Sequence, residues 1–302
     1  MPSSTTYRKS GGTAVHPVVG GVTLKSTTDI DDGWYHIAVT LTRNGNSVMY
    51  INGESEDTVY MYNYNYEQTG LTYFGASYGG AYVITPKCYM DDFCSWKLAL
   101  TGDDITSIYN DGSPTDLKLA GSYDSDGEVK RFNIVNYWLM SRQNPNPIIF
   151  DVSYALRLET GGEAYNYSFV LLFMHPFSGA TGPAEEAEVP GDSSFSDKST
   201  VFSGTSQDED LEDRKFLHTL GQHNARGMNT IGADGVNKDF SFSVWFKWDE
   251  GHPGTFPTVD GEATQNYLMA SGDPSNTSYD NMVLKFNSSD KKIEFILNEY
   301  QA

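Results

Sequence analysis

Residues 34–42 alternate Trp34, His36, Ala38 and Thr40 against Tyr35, Ile37, Val39 and Leu41. A period of two is the signature of a strand, and no helix accommodates it. Asn44-Gly45 follows, a pair that tolerates positive φ in a tight hairpin turn, and Val48–Asn52 returns as a second strand. Asn52-Gly53 turns the chain again. Further strands are expected in "LTYFGASYGG" and "YVITPKCYMDDFCSW", with glycine at the joints. One helix is expected, in "TGDDITSIYNDG": Thr101 caps it, Asp103 and Asp104 complement its N-terminus, Ile105, Ile108 and Tyr109 form its apolar stripe, and Gly112 ends it.

Beyond residue 113 the pattern weakens. "FNIVNYWLM" is one strand-like run, and "QNPNPIIFDVS" is a turn followed by another. "SGATGPAEEAEVPGDSS" reads as an exposed linker. The period of two resumes at "STVFSG" and is clearest in "KDFSFSVWFKWD", where Phe240, Phe242, Val244, Phe246 and Trp248 share one face. "NMVLKFNSSDKKIEFILNE" is a hairpin turning at Ser288-Ser289-Asp290. Many short strands, one short helix, 20 Tyr, 16 Phe and 29 Gly predict an all-β fold, an antiparallel sandwich.

A net charge of −20 argues against nucleic acid or an anionic membrane surface as partner, because phosphate neutralisation needs clustered Lys and Arg. No apolar run reaches the roughly 18 residues of a membrane-spanning helix, so no membrane insertion is expected. "MPSSTTYRKSGG" has no apolar segment of the secretory kind. Cys88 and Cys94 on one straight strand would sit about 20 Å apart, too far for a disulfide, and are read as two free, partly buried thiols.

"WYHIAVTLTRNGNSVMYINGE" resembles the W-x-H-V-A…L-Y-x-N-G core of laminin G-like, concanavalin A-like jelly rolls. "GASYGGAYVITPKCYMDDFCSWKLALTGDDITSIYNDG" is similar to that family's ending, and "STVFSG" with "FSFSVWFKW" to its opening. The resemblance covers roughly 32–112 and 195–300, with the family's second half first in the chain. It implies a jelly-roll sandwich divided as 1–113, a C-terminal half; 114–190, a connecting segment with a few strands; and 191–302, an N-terminal half. Two explanations stand: a window on a tandem array, or a circularly permuted domain. "IVNYWLM…PNPIIFDVS" is similar to the lead-in before such domains in phage and environmental sequences. Either way, the halves are expected to complement each other wherever they share a chain, because each alone exposes long strand edges.

The resemblance implies a non-enzymatic adhesion or carbohydrate-recognition module of a phage structural or large surface protein, on a virion or outside the cell. Its partners would be a glycan or host-surface receptor, neighbouring repeats or other copies. The rival is a structural spacer that binds only itself. A glycoside hydrolase on this fold needs two facing carboxylates, commonly on an E-x-D-x-E strand, and the sequence has none. "SYDSDGEVKRF" only loosely resembles a sialidase Asp box. His36 beside Trp34 reads as packed framework, as does Asn52, and Asp91 matches a strand aspartate with a fold role in the family.

Two groups of residues are candidate binding sites. Tyr60, Tyr62, Tyr64 and Tyr66 share one face of "YMYNYNYEQTG". Four rings in a row either stack sugars or pack as a cross-strand ladder or oligomer contact. Asp124, Asp126 and Glu128 in one loop, and Asp208, Asp210 and Asp213 in another, are hard-oxygen donors suited to Ca2+, or else acidic turns without metal.

Overall fold

In a computed structural model, the described residues are 22–61, 72–75, 85–119, 121–123, 130–139, 148–149, 172–174, 185–186, 199–204, 217–219, 239–248, 266–272, 280–287 and 290–297. The strands in chain order are β1 (Val22–Lys25), β2 (Gly33–Leu41), β3 (Gly45–Ile51), β4 (Glu54–Met61), β5 (Thr72–Phe74) and β6 (Thr85–Trp96). Helix α1 (Gly102–Tyr109) follows, then β7 (Ile134–Trp138), β8 (Ile148–Ile149), β9 (Leu172–Met174) and β10 (Glu185–Glu186). The last strands are β11 (Ser199–Gly204), β12 (Leu217–Thr219), β13 (Phe240–Trp248), β14 (Asn266–Gly272), β15 (Asp280–Asn287) and β16 (Lys292–Leu297).

They form two antiparallel sheets. The first runs β1-β16-β15-β14-β5-β12-β9-β8, and the second runs β10-β11-β6-β13-β2-β3-β4, with β7 also on β6. The late strands are interleaved with the early ones. β13 lies between β2 and β6, with Val244 opposite Ile37 on one side and Phe242 opposite Ser95 on the other. β1 adds to β16, and β5 sits between β14 and β12. The halves complement each other inside one chain, as their exposed edges require. β10 places Glu185 and Glu186, within the stretch read as linker, in a short pair with β11.

The main core fills the space between the sheets. Phe240, Phe242, Val244 and Phe246 point into it from β13, meeting Ile37, Val39 and Leu41 of β2 and Phe286, Ile293 and Phe295 of the facing hairpin. The Phe242 ring stacks on Phe93 at 6.0 Å and tilts against Phe295 at 5.5 Å, so it touches both sheets. A second core lies on the other face of the second sheet, where Ala38, Tyr50, Cys94 and Trp96 are covered by Leu100, Ile105, Ile108 and Leu117. This second layer explains why β2 is buried on both faces from His36 to Leu41, although its polarity alternates.

α1 seats this layer. Thr101 and Asp104 form a reciprocal capping box. Asp104 also receives Lys130 Nζ at 2.7 Å, both side chains being about 5 % exposed or less. The left-handed cap is Asn110 (φ 45°), not Gly112 as the sequence suggests; an asparagine tolerates that region almost as glycine does. From β13, the Ser241 hydroxyl accepts from Leu100 N–H at 2.8 Å and donates to Leu98 C=O at 2.9 Å, tying the helix's lead-in to the distant strand.

Phe242→Ala is expected to lower stability by about 3–5 kcal/mol. Because the ring bridges both halves, urea unfolding should stay a single transition at a lower midpoint, with β2 amides losing hydrogen-exchange protection together with those of β15.

Candidate functional site

The outer face of the second sheet gathers the described side chains with unusual surroundings. Its geometry depends on a bulge in β6. Cys94 lies opposite Ser243 but Asp91 lies opposite Trp245, so β6 spends one more residue than β13 over this stretch. Asp92 takes φ 48° there. Cys88, Met90 and Phe93 consequently face the main core, whereas Cys94 and Trp96 face the outer one. The two thiols, six positions apart, end on opposite sides of the sheet, buried and outside any disulfide. Burial pushes the Cys88 thiol well up, which keeps it in the unreactive thiol form.

The bulge also marks the point where the edge partner of β6 changes from β11, at Met90, to β7, at Phe93. Asp91 Oδ1 accepts from the Asp92 N–H at 2.9 Å. Asp92 is 4 % exposed, and neither of its carboxyl oxygens has a hydrogen-bond partner among the described residues. Burial first, and then the neighbouring Asp91 and Asp116 charges, hold its pKa well above the ordinary carboxylate value. The sequence reading singled out Asp91; the carboxyl without partners among the described residues is that of its neighbour, Asp92.

Beside the bulge, the cross-strand row is Asn52, His36, Trp245 and Asp91. Asn52 Oδ1 accepts from the His36 backbone N–H at 2.8 Å. The His36 ring lies 5.2 Å from the Trp245 ring and stacks at 6.3 Å on Tyr109 of α1. Fully buried, with both ring nitrogens lacking partners among the described residues, the imidazole is held neutral with its pKa lowered to about 3. The ring is packed against Trp245 and Tyr109, as the sequence reading expected, but the side-chain hydrogen bonds also expected of it are missing among the described residues.

The next row, toward the open end of the sheet, joins Trp34 and Tyr89 across Lys247. The two rings are 6.3 Å apart. Lys247 Nζ lies 5.7 Å from the Tyr89 centroid and 3.7 Å from Asp32 Oδ1. Trp34 is half-buried and Asp32 is open to solvent. Sequence reading missed this corner because Lys247 comes from the far end of the chain.

At the opposite edge stands Tyr60 on β4. Its ring is 48 % exposed, and its hydroxyl donates to Asn44 C=O at 2.9 Å. Tyr62, Tyr64 and Tyr66 lie outside the described residues, as do Asp124, Asp126, Glu128, Asp208, Asp210 and Asp213. Among the described residues no three His, Cys, Asp or Glu side chains are placed to hold a metal ion. The carboxylates that are described have structural partners in several places. Glu56 accepts from Thr27 N–H at 2.7 Å, from Thr28 N–H at 2.8 Å, and from both threonine hydroxyls. Burial alone would raise its pKa, but these bonds win and hold it below the usual range.

His36 and Asp92 pull stability in opposite directions with pH. His36 takes a proton only on unfolding, so its contribution is lost as pH falls from about 6.5 toward 3. Asp92 favours its protonated form in the fold, so stability is lost as pH rises through its raised pKa. Asp92→Asn is expected to exceed wild type in stability at about pH 8, with the gap closing toward about pH 4. Urea unfolding across that range checks it, and a gap independent of pH would contradict an uncompensated carboxyl.

Residues 5–106 match a laminin G-like family model described as the concanavalin A-like lectin/glucanases superfamily. No curated protein and no solved structure matches the chain significantly. Domains of the laminin G type are generally non-catalytic, although the superfamily includes glycosidases. The match covers about a third of the chain, and the strands within it belong to an antiparallel β-sandwich that the later strands complete.

Proposed function

We propose that this protein is a non-enzymatic recognition module that binds carbohydrate on a surface by stacking sugar rings on exposed tyrosine. The observation that carries the reading is the setting of Tyr60. Its ring is half open to solvent while its hydroxyl is fixed to the Asn44 carbonyl, so the platform is ordered before a ligand arrives. The strand leads directly into Tyr62, Tyr64 and Tyr66, which repeat the same spacing in the sequence. An acidic surface with net charge −20 suits a neutral glycan better than an anionic one. The non-enzymatic part is supported by the described acid–base candidates. Asp104 is locked to Lys130, Glu56 is held by Thr27 and Thr28, and His36 is buried under Tyr109.

A glycan array read with and without chelator tests the reading. A saccharide signal is expected from the wild type. Tyr60→Ala should weaken binding by about 1 kcal/mol, roughly five-fold in Kd, while Tyr60→Phe keeps most of it. Loss of signal on chelation would bring Ca2+ at the acidic loops into the site. No signal for any saccharide, together with ordered self-assembly, would leave the protein as a structural spacer instead.

A further inference from the structure

The interleaving of early and late strands is a contact between two bodies of one chain, and it has a consequence for the association of copies. Among the strands of 199–297, β14, β15 and β16 pair in sequence, and β13 packs on them through Phe242–Phe295 at 5.5 Å, Phe246–Phe286 at 5.7 Å and Trp248–Phe286 at 5.1 Å. β11 and β12 take their early-strand partners from β6 and β5. Yet every ladder partner of β13 belongs to β2 or β6. Its flanking side-chain bonds also reach the early body: Asp239 Oδ1 accepts from Arg43 N–H at 2.7 Å, and Ser241 bridges Leu98 and Leu100. The early body correspondingly leaves a slot one strand wide between β2 and β6, edged by their backbone N–H and C=O groups, with Ile37, Leu41, Met90 and Phe93 beside it on the core face of the sheet. The connection between the bodies, residues 140–198, contributes only the two- and three-residue strands β8, β9 and β10 among its described residues.

We infer that a second copy of this chain fills the same slot, so that copies associate by exchanging residues 199–297. The exchanged and unexchanged forms make the same ladders, the same core and the same caps; they differ only in the path of the connection and in the entropy of bringing two chains together. Closure within one chain competes with exchange at an effective concentration on the order of mM or below, so exchange rises with protein concentration during folding and persists once the core has closed. The corner formed by Asp32, Trp34, Tyr89 and Lys247 then becomes composite, with Lys247 supplied by the other copy. This inference is independent of the carbohydrate reading.

Full-length chains of natural and heavy nitrogen isotope are mixed in urea, refolded together at increasing concentration, and treated with a zero-length carbodiimide that joins Asp32 to Lys247. Mass spectrometry then reads the linked peptide pair in the monomer and dimer fractions. A dimer fraction that grows with concentration is expected, with mixed-isotope pairs as abundant there as same-isotope pairs; the monomer should give same-isotope pairs alone. D32N should lose the pair from both fractions. Monomer at every concentration, or a dimer whose pairs are all same-isotope, overturns the inference. Absence of the pair from both wild-type fractions overturns it too, because the composite corner is then not formed.

Discussion

A strand inside a sheet has to satisfy hydrogen-bonding groups along both of its edges, and β13 does so entirely against residues from the other end of the sequence. Much of the architecture depends on that insertion. Without it β2 and β6 are no longer joined, Phe93 loses the Phe242 ring, and the lead-in to α1 loses the serine that fixes it. The contact is also what fills the core, since the apolar face of β13 meets both the early strands and the facing hairpin. Long-range pairing of this kind is slow to find, because loop closure precedes any reward from the contacts. The long connection between the bodies is therefore a kinetic feature as well as a topological one.

The bulge at Asp91–Asp92 performs the second adjustment. β6 serves two edge partners in succession and two cores in succession, and a regular strand would carry Cys88 and Cys94 to the same side. One inserted residue rotates the rest of the strand so that Trp96 enters the outer core and donates to Tyr123 Oη at 2.9 Å. The cost is a left-handed Asp92 and a carboxyl left without partners among the described residues. Local strain and an unsatisfied polar group are tolerated here because the packed strands on either side fix the geometry.

The periodicity of Trp34–Leu41 and Phe240–Trp248 was legible because alternation depends only on the pleat, and the Asn52-Gly53 turn because both residues adopt positive φ. The helix was legible from Thr101 and its acidic first turn, though its stop was misplaced, since Asn110 competes with glycine for the left-handed cap. What the sequence did not display is pairing at a distance. No local pattern says that Lys247 will stand over Tyr89, or that Ala38 and His36 lie beneath a helix instead of facing water. Nor does period two announce a bulge, because Met-Asp-Asp-Phe continues the pattern equally well in either register. Of the binding residues read from the sequence, Tyr60 is the one whose surroundings are described: it is exposed, and its hydroxyl is engaged.

The two sheet edges that meet at β1 and β4 are closed by side chains, not by further strands. Lys25 N–H donates to Asp57 Oδ2 at 2.9 Å, and the N–H groups of Thr27 and Thr28 go to Glu56. Lys25 in turn binds Asp290 at 2.6 Å and Glu294 at 3.0 Å. A carboxylate that takes up backbone donors removes the template on which another chain's strand would grow, and the charges along β4 repel a second copy of the same edge. Edge-to-edge growth is thereby disfavoured at this side of the sandwich. The other outer strands, β8 and β10, stand at the opposite ends of the two sheets, and β13 pairs in the interior between β2 and β6. The acidic side chains near β1 and β4 thus do more than solubilise: they occupy backbone donors at this edge and oppose strand addition there.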